Sequence, residues 1–351
     1  MISPVNFRRN PKVITREELE QKLEQKQISA PGAAIGAVVT GGVVHQLGAG
    51  IVAEPAMMAV KSVEKKFSPE ECDALRNGVK QMVKDTGLDK KGVRIKWLNP
   101  LKPGKSVMES LKDKGEKASL FENFYRKFAD MQYIDTTRRG DNAFFCPTDM
   151  KLPKIRSKEY NELIAQGKAD IASKKLNEKG VYIKKNSIIL SKEYMPAAGY
   201  HEVGHAMNAN LSKFGKFLQK SRGISMYAPM LLGLYCAFSK NSKPNEGEQL
   251  NGRQKTKNFI RKNAPALCLV ASVPMLLEEG MATAKGNKFA KKVLSPDVAQ
   301  RALKSNLFAY ASYLAFAVFA ALGVKVARDI KDNAIAKKEK EVAEALREAS
   351  Y

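Results

Sequence analysis

Between Lys304 and Lys325 the chain runs for twenty residues, Ser305–Val324, without an Asp, Glu, Lys or Arg. Rich in Leu, Ala, Phe and Tyr, the run suits a bilayer core, which takes about 20 helical residues at ~1.5 Å each. We read 305–324 as a transmembrane helix. Three other stretches are free of charge: Ile28–Ala53, Gly223–Ser239 and Asn263–Leu277. The last two are shorter. Together they predict an apolar helical hairpin over 223–277 that crosses a thin bilayer, inserts in part or is buried as core. Segment 28–60 is Gly-rich and contains Gly32-Ala33-Ala34-Ile35-Gly36, a spacing that lets membrane helices approach closely. It reads either as a membrane helix or as a flexible, weakly apolar linker.

Around these runs the chain is strongly basic, with 60 Lys+Arg against 36 Asp+Glu and a net charge of +24. Such an excess requires an anionic neighbour. The basic residues lack the aromatic interleaving of a nucleic-acid platform, so the expected partner is an anionic membrane surface and no nucleic acid. The hairpin tip, 240–262, is basic, but so are the opposite loops, and the positive-inside rule leaves the orientation open. Four cysteines, Cys72, Cys146, Cys236 and Cys268, contain no C-x-x-C, which argues against a disulfide scaffold or a cysteine zinc site. Residues 1–27 are polar and charged, so no cleavable signal peptide is expected.

The rest predicts a mainly α protein with a small β-sheet. Thr15-Arg16-Glu17-Glu18 fits a capping box for a charged helix within 1–27, and Ser68-Pro69-Glu70-Glu71 fits another, ending near Gly87. Val93–Leu98 alternates like a strand, and Asn142–Cys146 reads as a strand stopped by Pro147. Helices are expected near 106–114, 118–132 and 157–178. Val181–Ile183 and Ile188–Leu190 suggest a hairpin or two short strands. The region 61–222 is soluble in character, 278–304 forms a further helix, and 325–351 a charged helical tail.

Two of the three histidines stand at 200–206, Tyr-His-Glu-Val-Gly-His-Ala. On a helix His201 and His205 share one face, one turn apart, so two imidazoles can reach one metal ion. Glu202 lies beside them, placed to take a proton from a metal-bound water. Gly204 allows close backbone packing. A catalytic zinc needs one more protein ligand. The remaining histidine, His45, lies in the Gly-rich apolar run, a place where packing is commoner than ligation. Leu276-Leu277-Glu278-Glu279-Gly280-Met281-Ala282 supplies a carboxylate, either Glu278 or Glu279, which otherwise would start an exposed helix. An antiparallel hairpin returns this pair to the level of His205.

This constellation resembles the gluzincin membrane peptidases of the HtpX and CAAX-prenyl-endopeptidase type, over roughly 140–285. That resemblance implies a zincin-like catalytic core joined to transmembrane or membrane-inserted helices. Asn142-Ala143-Phe144 is similar to the family's Asn-Ala-Phe strand, and Glu279-Gly280-Met281-Ala282 to its Glu-x-x-Ala, which selects Glu279 as third ligand. The family usually has Asp after that Ala. Here it is Thr283, the candidate for orienting a ligand histidine. The stretch 148–180 resembles an insertion.

The expectation is therefore a membrane-associated endopeptidase with Zn2+ on His201, His205 and Glu279, and Glu202 as base. Asn142, Ala143 and Phe144 would bind a protein or peptide substrate, and Tyr194 and Tyr200 are the nearby tyrosines for an oxyanion donor. The competing readings are a non-catalytic membrane protein and an inactive zinc-binding relative.

Overall fold

Ser68 opens the first helix of the 61–222 region as its sequence predicts. Its hydroxyl accepts from the Glu71 N–H at 3.2 Å while its own N–H donates to Glu71 Oε2 at 2.9 Å, a complete capping box. The computed structural model describes residues 30–98, 140–152, 181–244 and 247–348, with the single positions 17, 137 and 166. The helices expected at 15–27, 106–114, 118–132 and 157–178 lie outside these residues, apart from positions 17 and 166. Six α-helices are described: α1 (Pro31–Glu64), α2 (Pro69–Asp85), α3 (Ala198–Leu211), α4 (Lys213–Phe238), α5 (Gly252–Val293) and α6 (Pro296–Glu348). Five short strands accompany them: β1 (Arg94–Leu98), β2 (Phe144–Cys146), β3 (Met150–Leu152), β4 (Val181–Ile183) and β5 (Ser187–Ser191). The fold is mostly helical, and α1, α5 and α6 are long and apolar enough to cross a membrane.

The chain divides into two compact units. The β-containing unit comprises Gly50–Gly223 and Ser272–Phe316. Its three-stranded sheet has the order β1-β5-β2, with β1 parallel and β2 antiparallel to the buried central strand β5. Ile188 pairs across with both Ile95 and Phe145. Leu75, Val79 and Met82 fall on one face of α2 at helical spacing and share a core with Ile188, Leu190, Tyr200 and Val203. The two strands expected at 181–183 and 188–190 exist but do not form a hairpin. β4 pairs with β3 in a separate two-stranded ladder, and Asn186, at φ 57°, turns the chain out of it into β5.

The helical unit comprises Met1–Ala49, Ile224–Ala271 and Ala317–Tyr351. Here the C-terminal part of α4 and the N-terminal part of α5 form an antiparallel hairpin. Ser225 Oγ donates to the Ala271 carbonyl at 2.6 Å, and Asn258 Nδ2 donates to the Ser242 carbonyl at 2.8 Å. Because α5 begins at Gly252, the basic tip is shorter than the expected 240–262. Cys236, Ala264, Cys268, Ala320, Ala321 and Val324 pack together in this unit, so these two cysteines serve as small core residues. The close approach of α1 to α6 does not use Gly32 and Gly36, around which a Cβ would meet open space. It uses Gly41, where a Cβ would stand 2.6 Å from the Gly323 carbonyl oxygen, and Gly48, where it would enter the Phe319 ring. A G-x-x-x-G spacing permits contact only on the face that a partner occupies, and the partner face of α1 carries Gly41 and Gly48.

Candidate metal centre

The centre is built within the β-containing unit from α3, α4, α5 and α6. Met195, at φ 52°, turns the chain from β5 toward Pro196 and the start of α3. No side chain of Ala197 can cap that helix. Instead the Ala197 N–H donates to Glu64 Oε2 at 3.4 Å, and Ser305 Oγ donates to Glu64 Oε1 at 2.8 Å. A carboxylate at this end also suits the helix dipole.

Two glycines bring α3 and α5 together. A Cβ on Gly204 would lie 2.2 Å from the Ala282 carbonyl oxygen, and one on Gly286 would lie 2.6 Å from that of Tyr200. With the backbones this close, Glu278, Glu279 and Thr283 of α5 reach the histidine face of α3. Glu278 and Glu279 are 0% exposed and lie within α5, so neither starts an exposed helix.

Three ligand atoms converge. His201 Nε2 and His205 Nε2 are 2.9 Å apart, and Glu279 Oε2 lies 3.1 Å from the first and 3.4 Å from the second. Tetrahedral zinc at about 2.0–2.1 Å from N and O ligands needs those atoms separated by roughly 3.3–3.4 Å. The triangle is therefore nearly of the size that one ion requires, with a fourth position left over. This buried His201, His205 and Glu279 group can hold a metal ion.

The far nitrogens of both rings are held as well. His201 Nδ1 is 3.0 Å from Thr283 Oγ1, and His205 Nδ1 is 2.8 Å from Glu278 Oε1. Such contacts fix ring orientation and leave Nε2 for the metal. Thr283 thus takes the orienting place by His201, and Glu278, the rival third ligand, takes it by His205. Glu278 has no oxygen to spare. Oε1 also accepts from Asn208 Nδ2 at 3.0 Å and Gln219 Nε2 at 3.1 Å, and Oε2 accepts from Arg222 Nη1 at 3.0 Å. Arg222 Nη2 forms an ion pair with Glu279 Oε1 at 2.6 Å, without the alignment of a full hydrogen bond. Tyr313 of α6 lies near Arg222, Glu279 and Glu202.

Electrostatics follow from burial. For Glu202, burial pushes the carboxyl above its ordinary range, while the neighbouring His205 and His201 pull it back. His205 loses solvation too, yet the charge of Glu279 and the bond to Glu278 outweigh that loss and hold its pKa well above the usual value. These surroundings favour the protonated form of His205.

Other expected residues fall elsewhere. Phe144 begins β2, an outer strand of the sheet among the described residues, while Asn142 and Ala143 precede it, Ala143 packing against the core. Tyr200 turns its hydroxyl toward Gly78 in that core, without a hydrogen-bond partner among the described residues, which removes it as an oxyanion donor. Tyr194 packs on Gly140 and is 40% exposed. His45 belongs to the helical unit, where it borders Gly323. Asn208, Gln219, Arg222 and Tyr313 belong to no motif that the sequence displays. Asn208 could be found from spacing, since it follows His201 by seven residues and so shares its helical face. Comparison with known families, curated proteins and solved structures finds no match to this chain.

Proposed function

We propose that this chain is a membrane-associated zinc endopeptidase, with His201, His205 and Glu279 as ligands and Glu202 as general base. The observation that carries this reading is the convergence of three buried ligand atoms at mutual distances of 2.9, 3.1 and 3.4 Å. Two imidazoles and one carboxylate are a donor set that suits zinc. When bound, zinc supplies a Lewis acid that brings the pKa of a water toward ~7. Thr283 and Glu278 keep both histidines aimed. Glu202, buried beside them with a raised proton affinity, accepts a proton from the attacking water and returns it to the leaving amine. The segment Asn142–Phe144 is taken as the binding place for an extended protein or peptide substrate. Helices α1, α5 and α6 carry the chain in the bilayer, and the +24 charge favours anionic lipid over nucleic acid as the neighbouring surface.

The test is zinc content of detergent-purified protein. Wild type should hold one zinc per chain, Glu279→Ala should lose it, and Glu278→Ala should keep it with affinity lowered about 10–100-fold. Equal zinc in all three would contradict the ligand assignment, and a zinc-free wild type would leave the non-catalytic membrane protein as the reading.

A further inference from the structure

Two adjacent buried glutamates face the histidines, yet only one oxygen of the four enters the ligand triangle. The oxygens of Glu278 are taken up by His205, Asn208, Gln219 and Arg222. Of Glu279, Oε2 faces both Nε2 atoms while Oε1 faces Arg222 Nη2 at 2.6 Å. One guanidinium therefore spans both carboxylates, Nη1 on Glu278 and Nη2 on Glu279. Tyr313 approaches the same guanidinium from α6. A carboxylate can bind a cation through one oxygen or through both, and a partner held on the second oxygen favours the first mode.

We infer that Arg222 is a positioning residue that limits Glu279 to one-oxygen ligation and so keeps a coordination position open. The inference rests on the proposed metal centre and adds to it what holds its geometry. Arginine suits the task because its planar fork can meet two oxygen acceptors at once and keeps its charge when buried. A lysine ammonium is a single point and cannot reproduce that bridge. Without the bridge, Oε1 of Glu279 turns to the ion. The added oxygen then fills a fifth position, which is otherwise open beside the bound water.

The test uses full-length protein in detergent loaded with zinc or with cobalt(II), comparing wild type, R222K and R222M. X-ray absorption at the zinc edge should find one more oxygen neighbour in both variants than in wild type. In the cobalt forms the visible absorption should fall at least about twofold, as a four-coordinate ion becomes five-coordinate. R222K is the deciding variant, because it keeps the charge if R222M fails to fold. A metal-loaded R222K with wild-type coordination overturns the role of Arg222 and leaves the metal centre standing. A wild type that binds neither ion overturns both.

Discussion

The helical unit buries Ala37, Ala237, Ala264, Ala320 and Ala327, and turns Ile35, Val39, Leu231, Phe238, Val270 and Val318 outward. In the β-containing unit, the sheet with α2 and α3 does the reverse. Leu75, Met82, Leu88, Ile188 and Leu190 are fully enclosed, while Arg76, Lys80 and Lys84 are among the basic residues of α2's sequence. Water drives the second arrangement, since enclosing a large apolar side chain contributes about 1.5–3 kcal/mol. In a bilayer, which α1, α5 and α6 are long and apolar enough to cross, that gain is absent and close packing of small residues would take over. On the membrane reading proposed above, the difference teaches that the two units are stabilised by different forces. It also shows that glycine has one use in both, letting helix backbones touch: Gly41 against Gly323 in one, Gly204 against Ala282 in the other.

The largest expected effect separates these two glycine contacts. Gly204→Val would force α3 from α5, destabilise the β-containing unit by more than about 4 kcal/mol and abolish zinc binding. Gly41→Leu should lower thermal stability in detergent yet leave zinc content at wild-type level. Loss of zinc in both would break the separation. A smaller effect tests the two kinds of packing. Leu75→Ala should cost about 2–5 kcal/mol in thermal denaturation, whereas Val318→Ala, on an outward face, should cost less than about 0.5 kcal/mol in detergent. Equal costs would mean that the helical unit also depends on a large-residue core.

The smallest effect concerns protons at the centre. The carboxylates of Glu279 and Glu278 raise the proton affinity of His205, so a zinc ion binding there would compete with that proton. Apparent zinc affinity should therefore rise with pH, by up to about tenfold per unit while that proton is bound. Titration calorimetry in buffers of different ionisation enthalpy should register the proton released. A pH-independent affinity would show His205 already neutral.

Much of this was legible in local sequence. Ser68 with Glu71 marked a helix start, alternation at 93–98 marked β1, and the four-residue spacing put His201 and His205 on one face. Uncharged runs marked three helices that are long and apolar enough to cross a membrane. What escaped depends on partners far along the chain. Nothing near Gly41 tells that Gly323 will lie against it, so the more familiar spacing of Gly32 and Gly36 drew attention instead. The strands at 181–183 and 188–190 read as neighbours because they are close in sequence, while β3 and β1 claimed them separately. Glu278 and Glu279 are equivalent by composition. The resemblance alone favoured Glu279; the crossing of α3 and α5 sets its Oε2 beside both Nε2 atoms and brings Glu278 to His205 Nδ1, and no local signal picks Tyr313 from the apolar run of α6.

The most direct test of the peptidase account is cleavage of an unfolded protein substrate in detergent, wild type beside Glu202→Gln, with zinc measured in each. The account predicts one zinc per chain in both proteins and cleavage reduced about 10²–10⁴-fold in the variant. Undiminished cleavage by Glu202→Gln would contradict it, as would a zinc-loaded wild type that cleaves nothing.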